Sequence, residues 1–126
     1  MNGTYPHGDI SYTATAAVAK GQALKFTGET DTAGMPTVTP CSATTDTPIG
    51  IALTECAAGE KVATGILGNF GGTVLVLSGG AVTVGAQVSP TGTAVDAGIV
   101  IGTALDAASA SGELINVAHH APISIS

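Results

Sequence analysis

The sequence predicts an all-β protein, a small barrel or sandwich of short strands built from two related β units and preceded by an extended N-terminal arm. Three observations predict it. Short apolar runs rich in Val, Ile and Thr are bounded by glycines, which is the signature of brief strands joined by turns. Helical periodicity is missing, because Gly, Pro and Thr interrupt each candidate window and Gly alone accounts for 18 of 126 residues. Finally, a two-part phrase is written twice.

The chain opens with "MNGTYPHGDISY", which reads as an arm over residues 1–12. It holds both tyrosines, Tyr5 and Tyr12, and little else that packs a core. An aromatic side chain on an arm either anchors to a partner or folds back onto its own domain. Residues 13–126 form the β-rich domain. A short helical turn fits "TATAAVA" (residues 13–19), which has no breaker. "VAKGQALKFTG" (residues 18–28) reads as a tight turn feeding a strand, with Gly21 free to take a positive φ.

Residues 29–48, "ETDTAGMPTVTPCSATTDTP", carry three prolines and many threonines. They read as a long surface loop or an added edge ribbon. "IGIAL" (residues 49–53) and "KVATGIL" (residues 61–67) follow as strands. "TVLVL" (residues 73–77) and "AVTV" (residues 81–84), separated by Gly79-Gly80, read as neighbouring strands of a hairpin. "IVIGTAL" (residues 99–105), "LINVAHH" (residues 114–120) and "ISIS" (residues 123–126) complete the set.

The repeat ties these runs together. Val18, Gly21, Leu24 and Gly28 recur as Val82, Gly85, Val88 and Gly92. Ile49-Gly50, Ala52-Leu53, Ala57, Gly59-Glu60 and Val62 recur as Ile101-Gly102, Ala104-Leu105, Ala108, Gly112-Glu113 and Ile115. One extra residue sits in the last turn of the second copy, and the stretch between the two parts is much longer in the first. Neither unit could bury its apolar face alone, so the two are expected to close on each other around one shared core.

Composition restricts function. The chain is 44% hydrophobic but only 3% aromatic, without Trp. The core is therefore thin for its length, which favours oligomerisation. Only 10% of residues are charged, and a nearly neutral surface suits a protein that lies against other proteins. Nine acids against three lysines and no arginine give a net charge of −6. That excludes nucleic-acid binding by phosphate neutralisation and docking to anionic membranes. No apolar run spans a bilayer. The first residues lack the basic region and apolar core of a secretory signal, which implies synthesis in the cytoplasm. Cys41 and Cys56 have neither CxxC spacing nor the numbers for a disulfide framework, and read as reduced, partly buried small hydrophobes.

The vocabulary of catalysis is sparse. His119 and His120 are adjacent, so on a strand they point to opposite faces and do not readily chelate one ion. His7, or a symmetry copy, would have to complete a metal site. Glu60 and Glu113 occupy matched repeat positions, which suggests that each bonds the N–H groups of a turn. Asp31 and Asp46 flank a Thr-rich loop without the spacing of a calcium-binding loop. "GNFGG" (residues 68–72) lacks the Lys-Ser/Thr of a phosphate loop. No enzyme, cofactor or metal site is expected. An enzyme would need a pocket near His119, Glu60 or Glu113.

On "AVAKGQALKF", "PIGIALTECAAGEKVATGILGNF" and "VIGTALDAASASGELINV", the chain resembles the small capsid decoration, or cement, proteins of tailed bacteriophages and prophages. The pattern falls on Val18, Gly21 and Leu24, on residues 49–62, and on Gly68 and Phe70. The 29–48 insert and the "HHAPISIS" tail depart from it. The resemblance implies a homotrimer on the outer capsid surface of the virion. Such a trimer binds the major capsid protein at three-fold and quasi-three-fold positions and stabilises the head. It also implies a capsid-binding arm, here Tyr5, Pro6, His7, Ile10 and Tyr12. The alternative is a head-fibre base, or an adhesion module that binds host-surface glycans through the Thr-rich insert.

Overall fold

A computed structural model of the protein describes residues 8–125. Nine strands form two layers, with no helix among the described residues. The first five are β1 (Asp9–Ala14), β2 (Ala23–Thr30), β3 (Pro36–Pro40), β4 (Gly50–Ala52) and β5 (Lys61–Ile66). They close into a barrel in the order β1-β3-β2-β4-β5. Pairing is antiparallel except between β1 and β3, which run parallel with Thr13 opposite Thr37 and Ala14 opposite Val38. The other four strands are β6 (Val74–Leu77), β7 (Gln87–Val88), β8 (Gly98–Ala104) and β9 (Leu114–Ile125). They form an antiparallel sheet in the order β6-β9-β8-β7.

The repeat is visible bond by bond. Val18 and Cys56 exchange two backbone hydrogen bonds, at 2.9 and 3.0 Å, and so do Val82 and Ala108, at 2.9 and 2.8 Å, which makes Cys56, and not Ala57 as the sequence match has it, the counterpart of Ala108. Gly21 donates to Ala52 as Gly85 donates to Ala104, each at 2.8 Å. Both glycines have φ near +90° (91° and 88°), where a side chain would be strained. Leu24 faces Gly50 as Val88 faces Gly102. The correspondence also runs upstream of the repeated phrase. Tyr12 pairs with Val62 as Val76 pairs with Ile115. Gly59 donates to Ala14 as Gly112 donates to Ser78, both at 2.8 Å. Thus β1 is the counterpart of β6.

Several expectations are corrected. The arm was expected to reach residue 12, but β1 starts at Asp9 and Tyr12 is a core residue, 7% exposed. Residues 13–19 form no helical turn: Thr13 and Ala14 belong to β1, and Val18 makes an isolated bridge. Tertiary pairing overrides the weak helical propensity of so short a run. Residues 81–84 are not the partner of β6. Val82 bridges Ala108, and β6 pairs with β9. The 29–48 stretch is loop only over residues 31–35 and 41–48; its centre is no edge ribbon, since β3 sits between β1 and β2 and buries Val38 completely. "LINVAHH" and most of "ISIS" are one twelve-residue strand, β9, which continues through Pro122.

Two cores replace the single one expected. Tyr12, Ala14, Val18, Leu24, Val38, Ala52 and Val62 fill the barrel. The second core is built on Val74, Val76, Val82, Val88, Ile101, Ala104, Ala108, Ile115 and Val117, and is joined by Ala23, Ile51 and Leu67 from the first unit. Strand alternation explains the sharing. On β2, Leu24 points into the barrel and Ala23 out of it toward the second unit; on β4, Ala52 and Ile51 divide in the same way. The counterparts of Ala23 and Ile51 are Gln87 and Thr103, which are exposed. The units therefore stack head to tail: the outer face of the first is covered, and the same face of the second is bare.

Candidate functional site

The polar residues singled out in the sequence serve the fold's own turns. The Glu60 carboxylate accepts the Ala57 N–H at 2.8 Å, and the Glu113 carboxylate accepts the Ser109 and Ala110 N–H groups, each at 2.9 Å. This is the matched turn-bonding role expected of the pair. The Ala110 N–H and the Ser109 hydroxyl and N–H hold the Glu113 carboxyl below its ordinary range. Asp31 accepts from Ala33 and Met35 and from the Thr13 hydroxyl, and the Met35 N–H lowers its pKa most. Asp46 accepts from Ser42 and Ala43 and lies 3.2 Å from the Lys25 ammonium. The Ser42 N–H is the main cause of its lowered pKa. Asp106 is lowered in the same way by Asn116. Carboxylates committed to backbone donors in this manner are stapled loops.

The adjacent histidines separate, as strand geometry requires. His119 Nδ1 accepts the Gly68 N–H at 2.9 Å, and its Nε2 donates to the Phe70 carbonyl at 3.0 Å. The ring thus clamps the 68–70 linker between the units. His120 Nδ1 donates to the Ala121 carbonyl at 2.8 Å. Among the described residues no three His, Cys, Asp or Glu side chains converge on a point that could hold a metal ion. Cys41 and Cys56 are free, partly buried thiols. Burial, with help from Asp46, pushes Cys41 up to about 12; burial also raises Cys56.

A shallow surface depression lies in the first unit, between the turn at residues 17–22 and Glu55, Cys56, Ala57 and Glu60. The Glu60 carboxylate there is already bonded to Ala57. A smaller apolar groove separates the units, lined by Lys20, Leu53, Phe70, Val74 and Leu75.

What the surface does present is bare apolar side chains. Val84 is 66% exposed, Ile123 48%, Leu105 46%, Phe26 43% and Leu114 42%. Phe26 stacks edge-on against Tyr12, with ring centroids 5.4 Å apart. Of the expected arm residues, Tyr5, Pro6 and His7 lie outside the described residues. Ile10 is half-buried against the barrel core, and Tyr12 is inside it. Sequence reasoning missed Val84 and Leu105 as surface features. The signal was available in the repeat: Leu105 matches Leu53, which the second unit partly covers, and among the described residues no third copy of the repeat lies over Leu105.

Among the described residues the Glu60 and Glu113 carboxylates are thus bonded to turns, and several large apolar side chains lie exposed. The chain belongs to the phage cement protein family, whose model matches residues 4–119. It is a capsid-associated structural protein of a phage virion. Its fold is similar to that of the N base of the head fibre protein gp8.5 of bacteriophage phi29. The two share 19% identity with a TM-score of 0.65, over 86% of this chain and 90% of that one. No curated protein matches the chain.

Proposed function

We propose that the protein is a decoration protein without enzymatic activity. It binds the outer surface of the phage head as a homotrimer, contacts the major capsid protein at three-fold and quasi-three-fold positions, and stabilises the shell. The observation that carries this reading is the family match over nearly the whole chain. The sparsely charged, partly apolar surface and the thin cores support it, because a protein with these features gains stability from lying on a lattice. The N-terminal segment with Tyr5, Pro6 and His7 adds to the attachment.

The test is cosedimentation with expanded heads that lack decoration protein. Stoichiometric, saturable binding and a raised melting temperature of the heads are expected; no binding overturns the reading. Removing residues 1–7 should weaken binding and leave the domain's own melting unchanged. A cut at residue 12 is unsuitable, because it removes β1 and Tyr12 from the barrel.

A second reading, a head-fibre base, is favoured by the likeness to the phi29 N base. It predicts that the domain carries a fibre rather than reinforcing the shell. Heads would then bind the protein without gaining thermal stability.

A further inference from the structure

Because the units are copies, the covered face of the first is a template for what the bare face of the second accepts. In the first unit the face is covered by the strand entering the second. The Leu77 N–H donates to the Gly21 carbonyl at 2.9 Å, and a Cβ on Gly21 would lie 2.7 Å from the Leu77 nitrogen. A Cβ on Gly65 would lie 3.1 Å from the Phe70 ring and 3.2 Å from Leu53, and Lys20 and Leu53 share a groove with Phe70, Thr73, Val74 and Leu75. In the second unit the matching positions are open. A Cβ on Gly85 would meet nothing within 4 Å. The Gly85 carbonyl receives no backbone donor among the described residues. Leu105 and Ala118, the counterparts of Leu53 and Gly65, are exposed, and Lys20 is replaced by Val84, the most exposed large apolar side chain described. The face made by Val84, Gly85, Gln87, Thr103, Leu105 and Ala118 carries no charge.

We propose that this face docks an extended, apolar and uncharged edge segment of the capsid shell. A main-chain N–H of that segment bonds the Gly85 carbonyl, as Leu77 bonds Gly21, and its side chains lie over Val84 and Leu105. The mode is strand addition, in which main-chain bonds give affinity and alternate side chains give specificity. This rests on the shell-binding reading above and names its contact face. A second copy of the chain is the other candidate occupant, and the barrel argues against it. To repeat the internal contact a second copy would present β1, the counterpart of β6. The counterpart of Leu77 is Thr13, and β1 is already paired there with β3, Thr13 to Thr37 and Ala14 to Val38. The closing strand occupies the edge that a second copy would need.

The test compares four proteins on undecorated expanded heads: wild type, Val84→Glu/Leu105→Glu, Gln87→Arg/Thr103→Glu, and a control, Thr32→Glu/Ala58→Glu, changed at exposed positions in turns of the first unit. All are surface changes, and each protein's melting curve is recorded to verify folding. The expected result is wild-type binding by the control and about tenfold or greater loss in both face variants, since each places charge in an uncharged contact that is desolvated on docking. If wild type and control bind and both face variants bind equally well, this face is not the contact and the decoration reading stands. If wild type itself fails to bind heads, both readings fall. If the face variants keep their affinity for heads but change the sedimentation coefficient of the free protein, the occupant is a second copy and the shell assignment is overturned.

Discussion

The two units share one hydrogen-bonding skeleton and end it differently. In the first, β3 runs beside β1, the Val38 carbonyl accepts the Thr15 N–H at 2.9 Å, and the Val38 side chain fills the barrel. In the second, the Gly92 carbonyl accepts the Gly79 N–H at 3.1 Å, so a single turn stands where the first unit has a strand. That turn is held by the hydroxyls of Ser89, Thr91 and Thr93, with Ser89 fully buried and 2.8 Å from Thr93. One unit is closed by an apolar side chain and the other by a polar staple. Duplication supplied the frame, and the insert at residues 29–48 made one copy a barrel. The same insert blocks the β1 edge, so stacking that runs from the first unit to the second does not continue into another molecule by the same contact.

The matched glycines give the sharpest way to break this symmetry. Gly21 and Gly85 have nearly the same φ, but only Gly21 has backbone pressed against it. Gly85→Ala should cost about 1–2 kcal/mol, the strain of a side chain at positive φ. Gly21→Ala adds a clash with the main chain of β6, which cannot rotate away, and should cost about 3 kcal/mol or more. Urea midpoints of the two variants measure the difference. Equal losses would mean that the units are not packed as described.

Closure itself is tested next. Val38→Ala leaves a hole in the barrel and should cost about 2 kcal/mol. Ser89→Ala removes a buried hydroxyl from its partners and should cost about 1 kcal/mol. A larger loss at Ser89 than at Val38 would reverse the ranking of the two closures.

A smaller effect separates the turn-stapling Glu113 from neutral surface. The Glu113 carboxylate is stabilised by N–H groups that its protonated form satisfies poorly, so its folded pKa lies below the ordinary value of 4.5. The stability it contributes is present above that value and is lost as pH falls through the lower, folded pKa. Asp31, Asp46 and Asp106 act in the same direction below their ordinary 3.8. The melting temperature should therefore hold steady above about pH 5 and fall in acid. Glu113→Gln should lower the plateau slightly and make the acid limb shallower. An unchanged acid limb would show that this staple does not survive in solution.

Much of this was legible in the sequence, for a physical reason. Positions such as Gly21, Gly50, Gly59 and Glu60 are dictated by backbone geometry, so they recur literally as Gly85, Gly102, Gly112 and Glu113 and can be matched by eye. Tyr12 and Val76 occupy one site in two copies, but only burial is required there. Side chains as different as these satisfy it, so β1 was hidden and its residues looked like an arm. β3 was hidden because its Pro36 and Pro40 are normally strand-ending residues. Here they bound a five-residue strand whose buried centre is Thr37 and Val38. The uncovered face was not legible as a motif, because it is defined by what is missing beside it: among the described residues no strand covers the second unit as β6 covers the first. It emerges only when the covered and uncovered copies are laid side by side.

The duplication also provides its own control for the cysteines. Cys56 sits in the bridge to Val18 at the position where the second unit has Ala108 in the bridge to Val82. The backbone bonds on the two sides agree to within 0.2 Å. The Cys56 thiol makes one long contact, 4.0 Å, to the Glu60 carbonyl, and its sulfur is otherwise a small apolar group. Since the second unit builds the same bridge without it, Cys56→Ala should change stability by less than about 0.5 kcal/mol, within the range of ordinary surface substitutions. Ala108→Cys should be equally quiet only if the two sites have equal room. Ala108 is 5% exposed and belongs to the second core, whereas Cys56 is partly open. The reverse exchange should therefore cost more, by overpacking a closed site. Chemical denaturation of both variants decides the point: a costly Cys56→Ala would show that the thiol supports the first unit in a way the second does not need.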